Sequence, residues 1–236
     1  MGQAGEFKWR HYEGEVILLC VRWYTRYPLS YRNLEEMMRE RNLGVDHTTI
    51  YRWVQRYAPE LNKRIRPYLR KTNDSYRIDE TYVKVKGEWK YLYRAIDSSG
   101  DTIDFMLSHT RCAKAAKRFF KKTLKAPHAS FPRVANVDQN AAYPLAVEEL
   151  KEEEILPKTF NLRTVKYLNN KIEQDHRFIK RLVRPGLGFA SFNTADNTLQ
   201  GYEAMNMIRK GQVQGIGKND IKGQVKFIEN LFGLAA

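Results

Sequence analysis

The stretch RIDETYVKVKGEWKYLYRAID, residues 77–97, alternates its side chains and is rich in β-branched and aromatic residues. A period of two belongs to a strand whose successive side chains leave on opposite faces. Gly87 and Glu88 interrupt it as a turn, so residues 76–85 and 89–96 are expected as antiparallel strands. Ser99-Gly100 then turns the chain into a third strand, 102–107. Downstream the period is helical over 113–124, a short buried strand is expected at 133–137, and helices at 141–150 and 168–183. Three strands followed by alternating helix and strand describe a mixed sheet flanked by helices.

Upstream the pattern is helical. Val16, Leu19, Cys20 and Trp23 recur on one face until Pro28. Ser30 can cap a second helix carrying Leu34, Met37 and Met38, and Asp46 a third after the break at Asn42-Leu43-Gly44. The third would bury Ile50, Trp53, Val54 and Tyr57 and turn His47, Thr48, Thr49, Tyr51, Arg52, Gln55 and Arg56 outward. Two helices joined by a tight turn, the second with a polar, aromatic and basic face, form a helix-turn-helix able to enter a major groove. A plain three-helix packing unit with a solvated face fits these residues equally. After Pro59, KRIRPYLRK (63–71) carries five cations in nine residues, Lys63, Arg64 and Arg66 among them, and is expected as a basic linker that tracks phosphates. The expected organisation is a helical domain at 1–71, a mixed-sheet domain at 72–211, and a tail at 212–236. In that tail Val225, Phe227, Ile228, Leu231 and Phe232 suit docking or self-association.

Composition narrows the partner. Lys plus Arg number 41 against 27 Asp plus Glu, a formal charge of +14 on 236 residues. A surplus of that size favours a polyanion, nucleic acid first, although charge alone does not separate an enzyme from a merely basic binding protein. Cys20 and Cys112 have no spacing that suggests zinc or a disulfide framework, and both are expected as buried thiols. No export or lipidation pattern stands at the start, and the longest apolar run, 16–21, falls far short of the ~20 residues that span a bilayer. The expectation is a soluble cytoplasmic protein associated with the nucleoid, without a membrane partner.

Three carboxylates fall where the sheet would gather them: Asp79 in the first strand, Asp138 after the fourth, and Glu173 on a late helix. An Asp in mid-strand is unfavourable for propensity and burial unless its charge is compensated, and a metal ion compensates it. Carboxylate oxygens suit Mg2+ or Mn2+, and two such ions about 3.5 to 4 Å apart clamp the attacking and leaving oxygens of a phosphodiester. The segment KYLNNKIEQDHRFIKR (166–181) puts Asn169, Glu173, Arg177 and Lys180 at or near one helix face. Surface pairing of Glu173 with Arg177 is the bland reading of that face. His176 is expected as a partner for DNA or for the carboxylates, with a metal ligand or a hydrogen-bond donor behind the ligands as the alternative. Glu80 should point to the sheet face opposite Asp79, so only one of the two can join the site. Asp97 is expected as a turn residue and Glu203 as structural.

The segments WVQRYAP (53–59), RIDETYVKVKG (77–87), WKYLYRAID (89–97), KYLNNKIEQDH (166–176) and TLQGYEAMNMIRKGQ (198–212) closely resemble, in order and spacing, the IS-six family of bacterial insertion-sequence transposases. The likeness runs from about Phe7 to Gln212. It implies a DDE transposase of α/β class, with an all-α helix-turn-helix followed by a ribonuclease H-like mixed-sheet catalytic domain. By the family's motifs Asp79 of RIDETY, Asp138 of NVDQNAAY and Glu173 of NNKIEQDH are the catalytic triad, and thereby the metal ligands. Around Asp138 many relatives carry TDK where this chain has VDQ. The implied partners are double-stranded DNA, as terminal inverted repeats and target, and further copies of the chain in a homodimer or higher oligomer. Lys84, Lys166, Arg177 and Lys180 are expected to neutralise phosphates. A DNA-binding regulator, an inactive copy, and a metal-dependent nuclease that does not join ends are the competing readings.

Overall fold

The computed structural model describes Phe7 and residues 11–234, the side chain of Lys166 excepted. The chain forms two compact units, one of Met1–Leu69 with Arg181–Ala236 and one of Arg70–Lys180.

The first unit is helical. α1 (Gly14–Arg26) opens without a side-chain cap, and α2 (Tyr31–Arg39) and α3 (His47–Ile65) start where the capping residues predict. Ser30 and Asn33 bond reciprocally at the head of α2, and Asp46 accepts the Thr48 amide at the head of α3, satisfying amides that a helix start leaves without partners. α3 overruns its expected end. Pro59 lies inside it, and the segment expected as a linker from Lys63 is helical to Ile65 and then turns at Arg66–Tyr68. The reason is packing: Ala58, Leu61 and Ile65 continue the buried stripe of Ile50, Val54 and Tyr57, and that burial outweighs the bond lost at the proline.

In the same unit α7 (Phe192–Arg209) lies against α3 and α1, and α8 (Ile221–Leu231) also packs on α3. The stretch expected to close the mixed-sheet domain, 181–211, and the expected tail, 212–236, both group with the N-terminal helices. α7 is buried on all sides from Gly201 to Ile208, so it cannot serve as the one-sided cover of a sheet.

The second unit is a five-stranded sheet in the order β3-β2-β1-β4-β5, built from β1 (Ser75–Val85), β2 (Glu88–Asp97), β3 (Thr102–Ser108), β4 (Val134–Asn136) and β5 (Asn161–Arg163). β1, β2 and β3 are antiparallel neighbours, whereas β4 runs parallel to β1 and β5 to β4. One sheet face presents Tyr76, Ile78, Tyr93, Ala95 and Ile103 to α4 (Ala113–Leu124) and α5 (Ala142–Glu152). α4 meets them with Ala115, Ala116, Phe119 and Phe120, spaced to fall on one side of a helix. Asp97 organises the β2–β3 turn: its Oδ1 accepts the amides of Ser99, Gly100 and Asp101, each at 2.9 Å. Gly100 there takes φ +97°, a conformation that favours glycine. α6 (Asn170–Val183) follows a short 3-10 turn. Among the described residues no helix is long and apolar enough to cross a membrane.

Candidate active site

β1 and β4 together make the site. Their parallel ladder ends at Arg77↔Asn136, so beyond Arg77 the β4 side of β1 is bare, and Asp138 lies two residues past the end of β4. Asp79 and Glu80 leave β1 on opposite faces but both flank this bare edge. Oxygens of Asp79, Glu80 and Asp138 all lie within 4.8 Å of one another. The expectation that only one of the adjacent pair reaches the site is therefore corrected: alternation holds at the Cα, and an open strand edge lets two side chains meet around it.

Each carboxylate is held. Asp79 Oδ2 accepts from His176 Nε2 at 3.1 Å. Asp138 Oδ1 accepts the Asn140 amide at 3.1 Å, and its Oδ2 accepts Arg111 Nη2 at 2.5 Å. Glu80 Oε1 accepts Arg111 Nε at 2.7 Å and Asn140 Nδ2 at 3.3 Å, while its Oε2 accepts the Tyr143 hydroxyl at 2.5 Å. Burial pushes the Glu80 carboxyl above its ordinary value, against Tyr143 and Arg111, which lower it. Burial alone would lower Arg111, but its hydrogen bond and charge contact with Glu80, and the charge of Asp138, hold the guanidinium more firmly protonated. Burial likewise pushes His176 down; Asp79 opposes this and the Arg94 charge adds to it.

Three carboxylates so close repel one another, and Arg111 is the cation that now offsets them. An all-oxygen, anionic donor set of this kind fits a hard divalent ion such as Mg2+ or Mn2+. Among the described residues the cluster does not include Glu173, which is exposed in the first turn of α6, one helical turn before His176. Arg177 and Lys180 are exposed on the same helix. Lys84 does not come to the acids: it lies five residues along β1, with its ammonium 6.0 Å from the Trp89 ring centroid. The side chain of Lys166 lies outside the described residues. Arg111, Asn140, Tyr143, Arg94 and Asp175 escaped the sequence reading, because residues so far apart in the chain carry no local signal, whereas Glu80 was weighed and set on the opposite face.

In the helical unit α2 and α3 form the expected pair of helices, joined through Asn42, which takes φ +58°. Tyr51, Arg52, Arg56 and Lys63 are exposed on α3, Thr48 is exposed at its head, and Thr49 is half-buried. His47 is held by Glu35, Nδ1 to Oε2 at 2.9 Å. Two side chains expected outside are spent inside. Gln55 bonds Thr198 and Asn197 of α7, and Arg64 bonds Glu60 and the Leu231 carbonyl at the end of α8, with its guanidinium over Phe232. Arg66 bonds Asn62. Helices packing on α3 cover only the edge of the expected outer face that carries Gln55 and Arg64. Cys112, expected buried, is exposed at the N-cap of α4.

The mixed sheet thus gathers carboxylates from β1 and from just past the end of β4 at one place. A family model described as a DDE domain (DDE_Tnp_IS240) matches residues 73–212. The transposase for insertion sequence-like element IS431mec of Staphylococcus aureus (strain Mu50 / ATCC 700699) is 41% identical over 210 residues, 86% of this chain and 88% of the relative. The transposase for insertion sequence element IS257 in transposon Tn4003 of Staphylococcus aureus is similar to the same extent, 41% over 210 residues with the same coverage. Among solved structures, the HTLV-2 integrase catalytic core domain in complex with magnesium (dimeric form) aligns with TM-score 0.44 and 15% identity over 64% of this chain and 96% of that chain. The chain belongs to the IS-six family of DDE transposases.

Proposed function

We propose that this transposase binds the terminal inverted repeats of its insertion sequence, cleaves there, and joins the freed end to target DNA. The observation that carries the reading is the convergence of Asp79 and Asp138, with Glu80, at the bare edge of β1. Asp79, Asp138 and Glu173 are the proposed catalytic acids and would hold the divalent metal, two Mg2+ or Mn2+ ions. When bound, such ions supply Lewis-acid charge at both oxygens of an in-line displacement. In the first step water attacks phosphorus and the bond to the 3'-oxygen breaks, leaving a 3'-hydroxyl. In the second that hydroxyl attacks a target phosphorus, a new oxygen–phosphorus bond forms, and the target's own 3'-oxygen leaves.

The chain's own contribution is positioning and charge. Tyr143 and Asn140 fix Glu80 and the turn after β4, which keeps Asp138 beside Asp79. Arg111, already bonded to Asp138, is a cation in reach of a phosphate, and Arg177 and Lys180 are exposed on the helix that carries Glu173. Thr48, Tyr51, Arg52 and Arg56 on α3 are the proposed groove contacts, with Lys63 on the phosphates. Two DNA ends must be held at once, so the working form is a homodimer or higher homo-oligomer.

The test supplies Mg2+, duplexes carrying candidate terminal-repeat ends precut to a 3'-hydroxyl, and a target plasmid. Joined products with the native chain, lost in Asp138→Asn and Asp79→Ala, are expected. Cleavage without joining would make it a nuclease; binding alone would make it a regulator or an inactive copy.

A further inference from the structure

Behind Asp79 lies a chain of polar contacts that the acids themselves do not explain. Arg94, on β2, is the register partner of Asp79 and is 0% exposed. Its Nη2 donates to Asp175 Oδ2 at 2.6 Å, its Nη1 lies 3.2 Å from His176 Nδ1, and its guanidinium sits 4.9 Å from the Phe178 ring centroid. Asp175, His176 and Phe178 all belong to α6, the helix of Glu173.

The donor inventory orients the imidazole. A guanidinium only donates, so His176 Nδ1 accepts from Arg94. The ring proton then sits on Nε2, the atom 3.1 Å from Asp79 Oδ2, and is donated to that carboxylate. Replacing a buried ion pair such as Arg94–Asp175 by apolar side chains of similar volume is often neutral or stabilising, so fold stability is a weak account of the array. What the array adds is a fixed donor on Asp79 against the repulsion of Glu80 and Asp138, and a fixed seat for α6 one turn beyond Glu173.

We propose that His176, held by Arg94 and Asp175, is a positioning residue that orients the Asp79 carboxylate for divalent metal and locks the Glu173 helix to β1. This rests on the metal-dependent reading given above. Its direct consequence is that metal affinity depends on a hydrogen-bond donor at position 176, even though His176 is not itself a ligand.

The full chain, without DNA, is titrated with Mn2+ and free Mn2+ is followed by its paramagnetic resonance. Three variants are compared with the native chain: His176→Phe, which removes both hydrogen bonds; His176→Gln, whose amide nitrogen reaches the Nε2 position; and His176→Asn, which can accept from Arg94 but is too short to donate to Asp79. The expected result is Mn2+ affinity weakened about tenfold to a hundredfold in Phe and Asn and restored in Gln to within about threefold. Joining of precut ends should follow the same order, with binding of repeat DNA unchanged. If Phe fails to fold, the comparison of Asn with Gln decides alone. Equal Mn2+ affinity in all variants and the native chain overturns the inference, as does a Gln variant no better than Asn. No Mn2+ binding by the native chain overturns the metal reading itself, an outcome separate from the first two.

Discussion

Two thiols in this chain meet opposite environments. Cys20 is fully buried on α1, and desolvation pushes its pKa up to about 12, so it is a neutral packing group at any physiological pH. Cys112 is exposed, and a contact with the Thr110 hydroxyl, 3.4 Å away, leads the causes that lower its pKa. A lowered thiol pKa means more thiolate at a given pH, so the sign is towards faster alkylation near neutrality. We expect maleimide to label one thiol per folded chain, at Cys112, and the second only in denaturant. The labelling rate should level off at a lower pH than that of free cysteine. Peptide mass mapping that finds Cys20 labelled first would contradict the burial. The same scale holds the residue that alternation hides: Glu80 has the parity of the core face, and only the missing strand neighbour beyond Arg77 lets it meet Asp79 and Asp138.

Helices α3 and α7 pack against each other in the helical unit, and Gly201 of α7 lies against Ala58 of α3. A Cβ there would stand 2.6 Å from the Ala58 Cβ and 2.7 Å from Thr25 Cγ2, distances that packed atoms do not tolerate. Gly201→Val should destabilise the chain by about 1–3 kcal/mol as overpacking, despite the better helix propensity of a residue with a side chain. A lower urea midpoint with an unchanged slope is the expected reading, and an unaltered midpoint would mean that α7 can move off α3 cheaply. Element boundaries were readable where a side chain acts locally: Ser30 and Asp46 cap the helices they were expected to cap, and α4 spans Ala113–Leu124 as its period predicts. They were not readable where a distant element decides. α3 passes through Pro59 because other helices bury Leu61 and Ile65, and Gln55 and Arg64 turn inward for the same reason.

For the whole molecule the charge of +14 implies DNA binding that weakens steeply with salt, because each neutralised phosphate releases counterions. As groove contacts Arg52 and Arg56 read bases, so the double change Arg52→Ala, Arg56→Ala should weaken repeat DNA more than scrambled DNA and keep the slope of log affinity against log salt. A slope reduced by about 2, with all sequences weakened alike, would instead mark them as phosphate contacts. Fluorescence anisotropy with a repeat duplex and a scrambled one, across a salt series, separates the two.

Family, strand pairing and the identities of Asp79, Asp138 and Glu173 as candidates were all legible from residues 77–97, 136–143 and 166–176, because periodicity and motif order are local properties of a chain. Tertiary structure alone decided which side chains meet. It brought His176 to Asp79 across 97 positions and placed Arg94 on the other ring nitrogen of that imidazole. It also left the β4 side of β1 without a strand neighbour past Arg77, so that Glu80 entered the cluster, and it assigned residues 181–236 to the helical unit. Contacts of that kind depend on where strands stop pairing and which helix face is already covered, and neither is encoded in the spacing of nearby residues.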